Sequence, residues 1–236
     1  MDADTRDEDE VIFGMHRRRY LDRAQAGRIL AQSLMQYKGQ DALVLGIPRG
    51  GVPVAAEVAE ALGADLDVIV ARKLGAPDQP ELAIGAVTSN GGRFLNNELI
   101  EAIGIGRDYL ENVTAAEMAE AHRREETFRA GRPPARIAGR TVIVVDDGLA
   151  TGATMRASVR SVRSHGPARL VAAVPVGSQE ACAALRQEAD EVVCVLEPDL
   201  FWAVGLYYEN FEPTLDAEVT RILQKYLERT PRKQTA

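Results

Sequence analysis

The run VIVVDDGLATGATM, Val142 to Met155, sets two carboxylates, two glycines and two threonine hydroxyls directly after an uninterrupted apolar stretch. Residues of those types in that order can hold a phosphorylated sugar. Asp146 and Asp147 accept hydrogen bonds from neighbouring hydroxyls, because an ionised carboxylate is acceptor only. Gly148 and Gly152 let the backbone turn tightly, and Thr151 and Thr154 supply hydroxyls. Successive N–H groups can then enclose an anion where the next helix begins, and a 5′-phosphate suits such a nest.

The elements around the run explain how it is presented. Val142 to Val145 contain nothing polar, as expected of a strand covered on both faces of a parallel sheet, so Asp146 and Asp147 fall at its carboxyl end, the edge where open α/β sheets bind ligands. Upstream, Ala26, Ile29, Leu30 and Leu34 recur at helical spacing within Arg23 to Tyr37, and Ala42 to Ile47 reads as a short buried strand. A Pro48-Arg49-Gly50-Gly51 turn, a helix from Val52 to Leu62 and a strand from Leu66 to Ala71 complete a βαβ unit. The stretch from Arg72 to Asn97 has no helical period but alternates about an Asn90-Gly91 turn, the signal of a hairpin, and an excursion that long is usually functional. A charged amphipathic helix, Arg107 to Arg129, and the breaker RPPAR lead to the strand near Thr141. Helices from Thr154 to His165 and Gln179 to Glu188 alternate with strands LVAAVPV and EVVCVLEP, and an aromatic stretch, DLFWAVGLYYENF, precedes a last helix from Leu215 to Leu227. The pattern predicts an α/β fold with a doubly wound, mainly parallel sheet.

Composition limits the function classes. At 236 residues, 46% hydrophobic and 27% charged, the chain is an ordinary globular one with a full core. One domain spanning 13–228 is expected, between a disordered acidic start (1–12) and a flexible tail (229–236). No stretch reaches membrane-spanning length and MDADTRDEDE lacks the features of a secretory signal, so a cytoplasmic protein with no membrane partner is expected. A net charge of −7 argues against a nucleic-acid partner, although Arg49, Arg72 and Lys73 suggest a local basic pocket. Cys182 and Cys194 have no metal spacing and read as buried thiols, and His16, His122 and His165 as surface histidines, so no fixed metal cage is expected. A GxxxxGK[ST] loop is absent, which removes the nucleotide-hydrolase reading of the paired aspartates.

Three segments thus sit at strand ends: PRGG, ARKLG and DDGLATGAT. Together they resemble the type I phosphoribosyltransferases, and VVDDGLATGAT matches that family's signature at nearly every position, apart from Gly148, where many members carry an apolar residue or serine. It looks most like a subgroup of broadly annotated, bacterial-type members whose acceptor is poorly defined. The resemblance implies that Asp146, Asp147, Gly148, Leu149, Ala150, Thr151, Gly152, Ala153 and Thr154 hold the ribose 5-phosphate of phosphoribosyl pyrophosphate. It assigns the pyrophosphate to Arg49, Gly50, Gly51, Arg72 and Lys73, with a cis non-proline peptide near Arg49. Asp146, Asp147 and Lys73 form the implied catalytic set.

The same resemblance implies a flexible lid, about 74–97, that closes over the reacting atoms, with Glu81 facing solvent in preference to Mg²⁺. It further implies a C-terminal aromatic hood, about 198–214, where Phe201 or Trp202 either stacks on the acceptor or packs in the core. Mg²⁺ should arrive with the donor and take few ligands from the protein. The implied reaction moves the phosphoribosyl group to a nitrogenous base or other small nucleophile, as in nucleotide metabolism. A sensor that binds the donor without turnover is the alternative, and would be expected to add a nucleic-acid-binding module. Family members commonly pair, so a homodimer stays open, with Arg107 to Arg129 either at a contact or facing solvent.

Overall fold

The computed structural model describes residues 19–229. The expected disordered start, His16 and all but the first residue of the expected tail lie outside that range. Five strands form an all-parallel sheet in the order β2–β1–β6–β7–β8, where β1 is Ala42–Gly46, β2 Asp65–Val68, β6 Thr141–Val145, β7 Arg169–Val176 and β8 Glu191–Leu196. Every residue of β1 is buried, and so are Val142 to Val145. Both faces are covered. Leu30 and Leu34 at α1 (Arg23–Ser33), Val54 and Val58 of α2 (Gly51–Leu62) and Val219 and Leu223 of α7 (Asp216–Arg229) cover one face. Met155 and Val159 of α5 (Ala153–Ser164) and Leu185 of α6 (Gln179–Leu185) cover the other. The fold is the doubly wound α/β sheet that the pattern implied.

Chain order explains where a site belongs. From β1 the chain winds outward to β2, whereas from β6 it winds the opposite way to β7 and β8, so the direction reverses between β1 and β6. Crossover loops part at such a switch point and leave a crevice at the carboxyl edge. The loops that follow β1 and β6 are Ile47–Gly50 and Asp146–Gly152.

The second half of the expected strand Leu66 to Ala71 requires a correction. The core strand stops at Val68, and Ala71 opens a separate antiparallel sheet of β3 (Ala71–Ala76), β4 (Gln79–Thr88) and β5 (Arg93–Leu95). Val68 to Ala71 are apolar and buried without a break, which hides the change of sheet. A carboxylate terminates the first strand: Glu125 Oε1 accepts from the Val70 amide at 3.0 Å. Arg72 and Lys73 are consequently on β3, not at the end of a core strand.

The hairpin about Asn90-Gly91 is present, with Gly91 at φ +85° and the Thr88 amide donating to the Gly92 carbonyl at 2.8 Å. It is docked rather than free, since a Cβ on Gly92 would lie 2.3 Å from Ser161 Cβ of α5. Within the expected lid, residues 77–82 are exposed, whereas Ile84 to Thr88 are buried. A short helix, α3 (Asn97–Ala102), follows, capped by Asn96 Oδ1, which accepts from the Leu99 amide. The charged helix α4 spans Arg107–Arg129 as expected, yet it is more than a solvated face. Phe128 is fully buried, and Arg129 binds both Asp67 (3.0 Å) and Glu125 (2.8 Å). Cys182 and Cys194 are free thiols whose sulfurs lie within 4.8 Å of each other. No helix among the described residues is long and apolar enough to cross a membrane.

Candidate active site at the carboxyl edge

The two loops at the switch point touch. A Cβ on Gly50 would lie 1.9 Å from Asp147 Oδ2, and one on Gly51 would lie 2.7 Å from the Val145 carbonyl and 2.8 Å from Asp146 Cα. Both glycines therefore serve a close approach of the first loop to the aspartate pair. The Pro48–Arg49 peptide between them and β1 is cis, at the position the resemblance implied. The Arg49 side chain reaches outward to Asp216 at 3.6 Å, with both groups about half exposed.

The aspartates differ in their surroundings. Asp146 Oδ1 accepts from the Asp147 amide at 2.8 Å, and burial together with the neighbouring charge of Asp147 holds the Asp146 carboxyl well above the ordinary range. Asp147 is instead paired: Arg23 Nε donates to its Oδ2 at 2.8 Å, both side chains being at most 15% exposed. Arg23 also donates from Nη1 to the Glu212 carbonyl at 2.8 Å and lies 4.0 Å above the Phe211 ring. Tyr208 Oη donates to the Asp147 carbonyl at 2.6 Å, and burial, then the Asp147 charge, raise its pKa so that it stays a donor. Arg23 stands 124 positions from Asp147 and escaped the sequence reading. A charged residue directly after the helix-capping Asp22, which accepts from the Gln25 amide at 2.7 Å, was the available signal.

The small-residue loop is anchored from behind. Leu149 is buried, its amide donates to the Val176 carbonyl and its own carbonyl accepts from the Ser178 amide, each at 2.9 Å. Ser178 Oγ donates to the Ala150 carbonyl at 2.8 Å. Leu149 is thus a core anchor, while Ala150 and Thr151 form the exposed lip. Gly152 at φ +76° turns the chain into α5, whose first-turn amides Ala153 and Thr154 face the same lip with no side-chain cap. Gly148 has its own reason: a Cβ there would stand 2.4 Å from Val204 Cγ1, so the aromatic stretch presses directly on this loop.

The remaining expected residues are partly convergent. Arg72 Nε is paired with Glu117 Oε2 of α4 at 2.7 Å and Lys73 is exposed, while Glu81 faces solvent. All three line a cavity of about 680 Å³ between the β3–β4 hairpin and α4, and Thr154 of the small-residue loop is on its wall. A second cavity, about 730 Å³, lies on the sheet face beside Leu45 and Ile69, and neither of these cavities is lined by Asp146, Asp147, Arg49, Gly50 or Gly51. In the aromatic stretch, Phe201 stacks on Tyr207 (5.6 Å between centroids, 14° between planes), whereas Trp202 is 74% exposed. Tyr208 joins Tyr20 and Phe211 in the adjoining cluster, and backbone hydrogen bonds between Tyr20 and the Tyr207–Glu209 segment tie this stretch to the start of the described chain.

This geometry offers an anionic clamp beside an uncapped helix N-terminus, and sequence and structure comparisons point to one family. The phosphoribosyl transferase domain family matches residues 18–212. Two Mycobacterium tuberculosis proteins, from strains CDC 1551 and H37Rv and each named "Putative phosphoribosyl transferase", are 48% identical over 204 residues, which is 86% of this chain and 46% of theirs. The chain therefore spans less than half the length of those relatives. The crystal structure of TT1426 from Thermus thermophilus is 44% identical, with a TM-score of 0.75 over 88% of this chain and 99% of that one. On the match along most of its length and the shared architecture, this chain belongs to the phosphoribosyl transferase domain family.

Proposed function

We propose that this protein transfers the 5-phosphoribosyl group of phosphoribosyl pyrophosphate to a nitrogenous base or another small nucleophile, releasing pyrophosphate. The observation that carries the reading is the junction at the switch point, where Gly50 packs against Asp147 at the start of the loop that leads into the uncapped α5.

Each part has a task in that reaction. The α5 N-terminus bears roughly half a positive charge and presents free amides, so the Thr151–Thr154 lip holds the 5′-phosphate. Asp146 and Asp147 accept from the ribose 2- and 3-hydroxyls and favour the positive charge that develops on the ring as the C1–oxygen bond to pyrophosphate breaks. The bonding pair leaves with pyrophosphate, and the acceptor nitrogen supplies the pair that forms the new bond to C1. Arg49, with the backbone of Gly50 and Gly51, receives the departing polyanion. Its exposed pairing with Asp216 is worth at most about 1 kcal/mol and yields readily to a ligand. Lys73 approaches from β3 when the 77–82 tip closes over the cavity that reaches Thr154, which excludes water from the reactive carbon. Trp202, the exposed ring of the aromatic stretch, covers the acceptor, and Phe201 supports it through Tyr207.

The clamp is compatible with a donor that brings magnesium. Its two carboxylates bring oxygens beside the diphosphate position, and Asp147 is already paired with Arg23. Magnesium would be held by the donor's own oxygens, would neutralise the leaving group, and would take few or no direct ligands from this chain.

The test is incubation with phosphoribosyl pyrophosphate and Mg²⁺ against a panel of purine and pyrimidine bases, following pyrophosphate release. Turnover with at least one base is expected. Donor binding without turnover across a broad panel would favour a sensor, and unchanged donor affinity in Asp146→Asn/Asp147→Asn would defeat the site assignment.

A further inference from the structure

We propose that Arg23 is a positioning residue for the phosphoribosyl donor: it holds the Asp147 carboxylate in the ribose-receiving orientation and fastens the aromatic hood to that same carboxylate. This rests on the donor-binding reading given above.

Arg23 joins three parts of the crevice through one side chain. Its Nε engages Asp147 Oδ2 at 2.8 Å, its Nη1 engages the Glu212 carbonyl at 2.8 Å, and its plane covers Phe211 at 4.0 Å. Gly50 closes the fourth side, since a Cβ there would come within 3.0 Å of Arg23 Nε. With 12% of the side chain exposed, the guanidinium is largely withdrawn from water, where its hydrogen bonds are strong and their loss leaves Asp147 uncompensated. Holding Oδ2 fixes the carboxylate plane and assigns the other oxygen to a ligand hydroxyl.

The choice of arginine follows from these contacts. A planar fork donates in two directions while stacking on a ring, whereas a lysine supplies a point charge and cannot reproduce all three contacts. Among the described residues, the charged or titratable side chains packed at the carboxylate are Asp146 beside it, Arg23 from α1 and Tyr208 from the hood. Arg23 is the cation of that set, so it opposes the repulsion between the two aspartates and lowers the cost of charging Asp146 beside Asp147. The hood meets the clamp a second time through Tyr208 Oη and the Asp147 carbonyl, so a shift of Asp147 is transmitted to the acceptor side.

Wild type, Arg23→Lys and Arg23→Met would be compared by calorimetry with two probes, ribose 5-phosphate and inorganic pyrophosphate. Two measurements on the ligand-free proteins would accompany it: carboxyl NMR titration of Asp146, and hydrogen exchange across residues 204–212. Arg23→Met should weaken ribose 5-phosphate at least about tenfold, the loss of one hydrogen bond to a charged group, and leave pyrophosphate within about twofold. Its Asp146 carboxyl should titrate at higher pH than in wild type, and Arg23→Lys should restore that titration toward wild type. Both variants should exchange faster across 204–212, because neither keeps the Glu212 and Phe211 contacts. Equal losses for the two probes in Arg23→Met, or an unmoved Asp146 titration, would overturn the positioning role, and unchanged exchange would overturn the hood tie. Should wild type bind neither probe, the donor reading fails, while the titration and exchange still decide what Arg23 does to Asp147 and the hood.

Discussion

Replacing Gly50 with alanine tests the crevice through a single methyl group. The Gly50 backbone is at φ −63° and ψ −32°, an ordinary right-handed conformation that alanine adopts without strain. On backbone grounds alone, Gly50→Ala should stabilise the protein by about 0.4–1 kcal/mol, since alanine has less conformational freedom to lose on folding. The site predicts the opposite sign. The new Cβ would lie 1.9 Å from Asp147 Oδ2 and 2.6 Å from its Cγ, so the carboxylate must swing by about 1.5 Å to reach ordinary van der Waals contact. That swing breaks the hydrogen bond with Arg23, a charge-assisted contact worth about 1.5–3 kcal/mol. The net expectation is a loss of roughly 1–2 kcal/mol, and a weakening of ribose 5-phosphate binding by about tenfold or more as the clamp loses its orientation. Urea denaturation of both proteins at one pH, with calorimetric titration of ribose 5-phosphate, measures the two quantities. A variant as stable as wild type or more so, binding ribose 5-phosphate equally well, would refute both the close approach of the loops and the use of Asp147 in the clamp.

Three further outcomes follow from the same geometry. Gly148→Ala drives a methyl group into Val204 and should cost about 1–3 kcal/mol in thermal or urea unfolding, with Val204→Ala in the same chain recovering part of it; additive losses would show that the two do not touch. Asp146 has a raised folded-state pKa, so between its unfolded and folded values the native state binds the extra proton and stability falls as pH rises through that window. Asp146→Asn should therefore be more stable than wild type at neutral pH and lose that advantage near pH 4, as unfolding at the two pH values would reveal; a gap independent of pH would contradict the burial of the charge. Trp202→Ala should leave stability within about 0.5 kcal/mol because the ring is exposed, yet raise the KM for the acceptor, while Phe201→Ala should lower stability by about 1–3 kcal/mol through the lost packing on Tyr207. The reverse pattern would move acceptor stacking from Trp202 to Phe201.

How much of this was legible in the sequence depended on the range of the interaction that decides each feature. The core strands and the loop into α5 were legible because local pattern decides them: an apolar run long enough for one strand, then carboxylates, then glycines that permit a turn. The split between β2 and β3 was not, because Val68 to Ala71 are apolar and buried across the junction and the signal separating the strands is Glu125, which stands 55 positions from the Val70 amide that donates to it. The six-residue α3 was missed for a related reason: it is under two turns long, and its Asn96 cap lies within a stretch dominated by hairpin signals. Arg23 belongs with the long-range cases: its place directly after the capping Asp22 is visible in the chain, but its partner Asp147 is 124 positions away. Gly148 was noticed as a departure, but its cause, Val204 in the distant aromatic stretch, could be assigned only in three dimensions.

The crevice also separates charge in a way that bears on ligand choice. At one end stands the α5 N-terminus, which has no side-chain cap, and at the other the carboxylates of Asp146 and Asp147, the latter paired with Arg23. On the proposed reading, a ligand fits when it carries a phosphate at one end and uncharged hydroxyls one sugar away, because the hydroxyls donate where the aspartates accept. A free polyphosphate laid across the same crevice would bring its own negative charge against Asp146 and Asp147, in surroundings where burial already disfavours ionisation of Asp146. Sugar phosphates should accordingly be preferred over inorganic polyphosphates of greater charge at the α5 end, and the preference should diminish in Asp146→Asn/Asp147→Asn. Competition between ribose 5-phosphate and tripolyphosphate, measured at constant ionic strength, resolves this. A double variant that favours ribose 5-phosphate as strongly as wild type would place the source of selectivity outside the carboxylate pair.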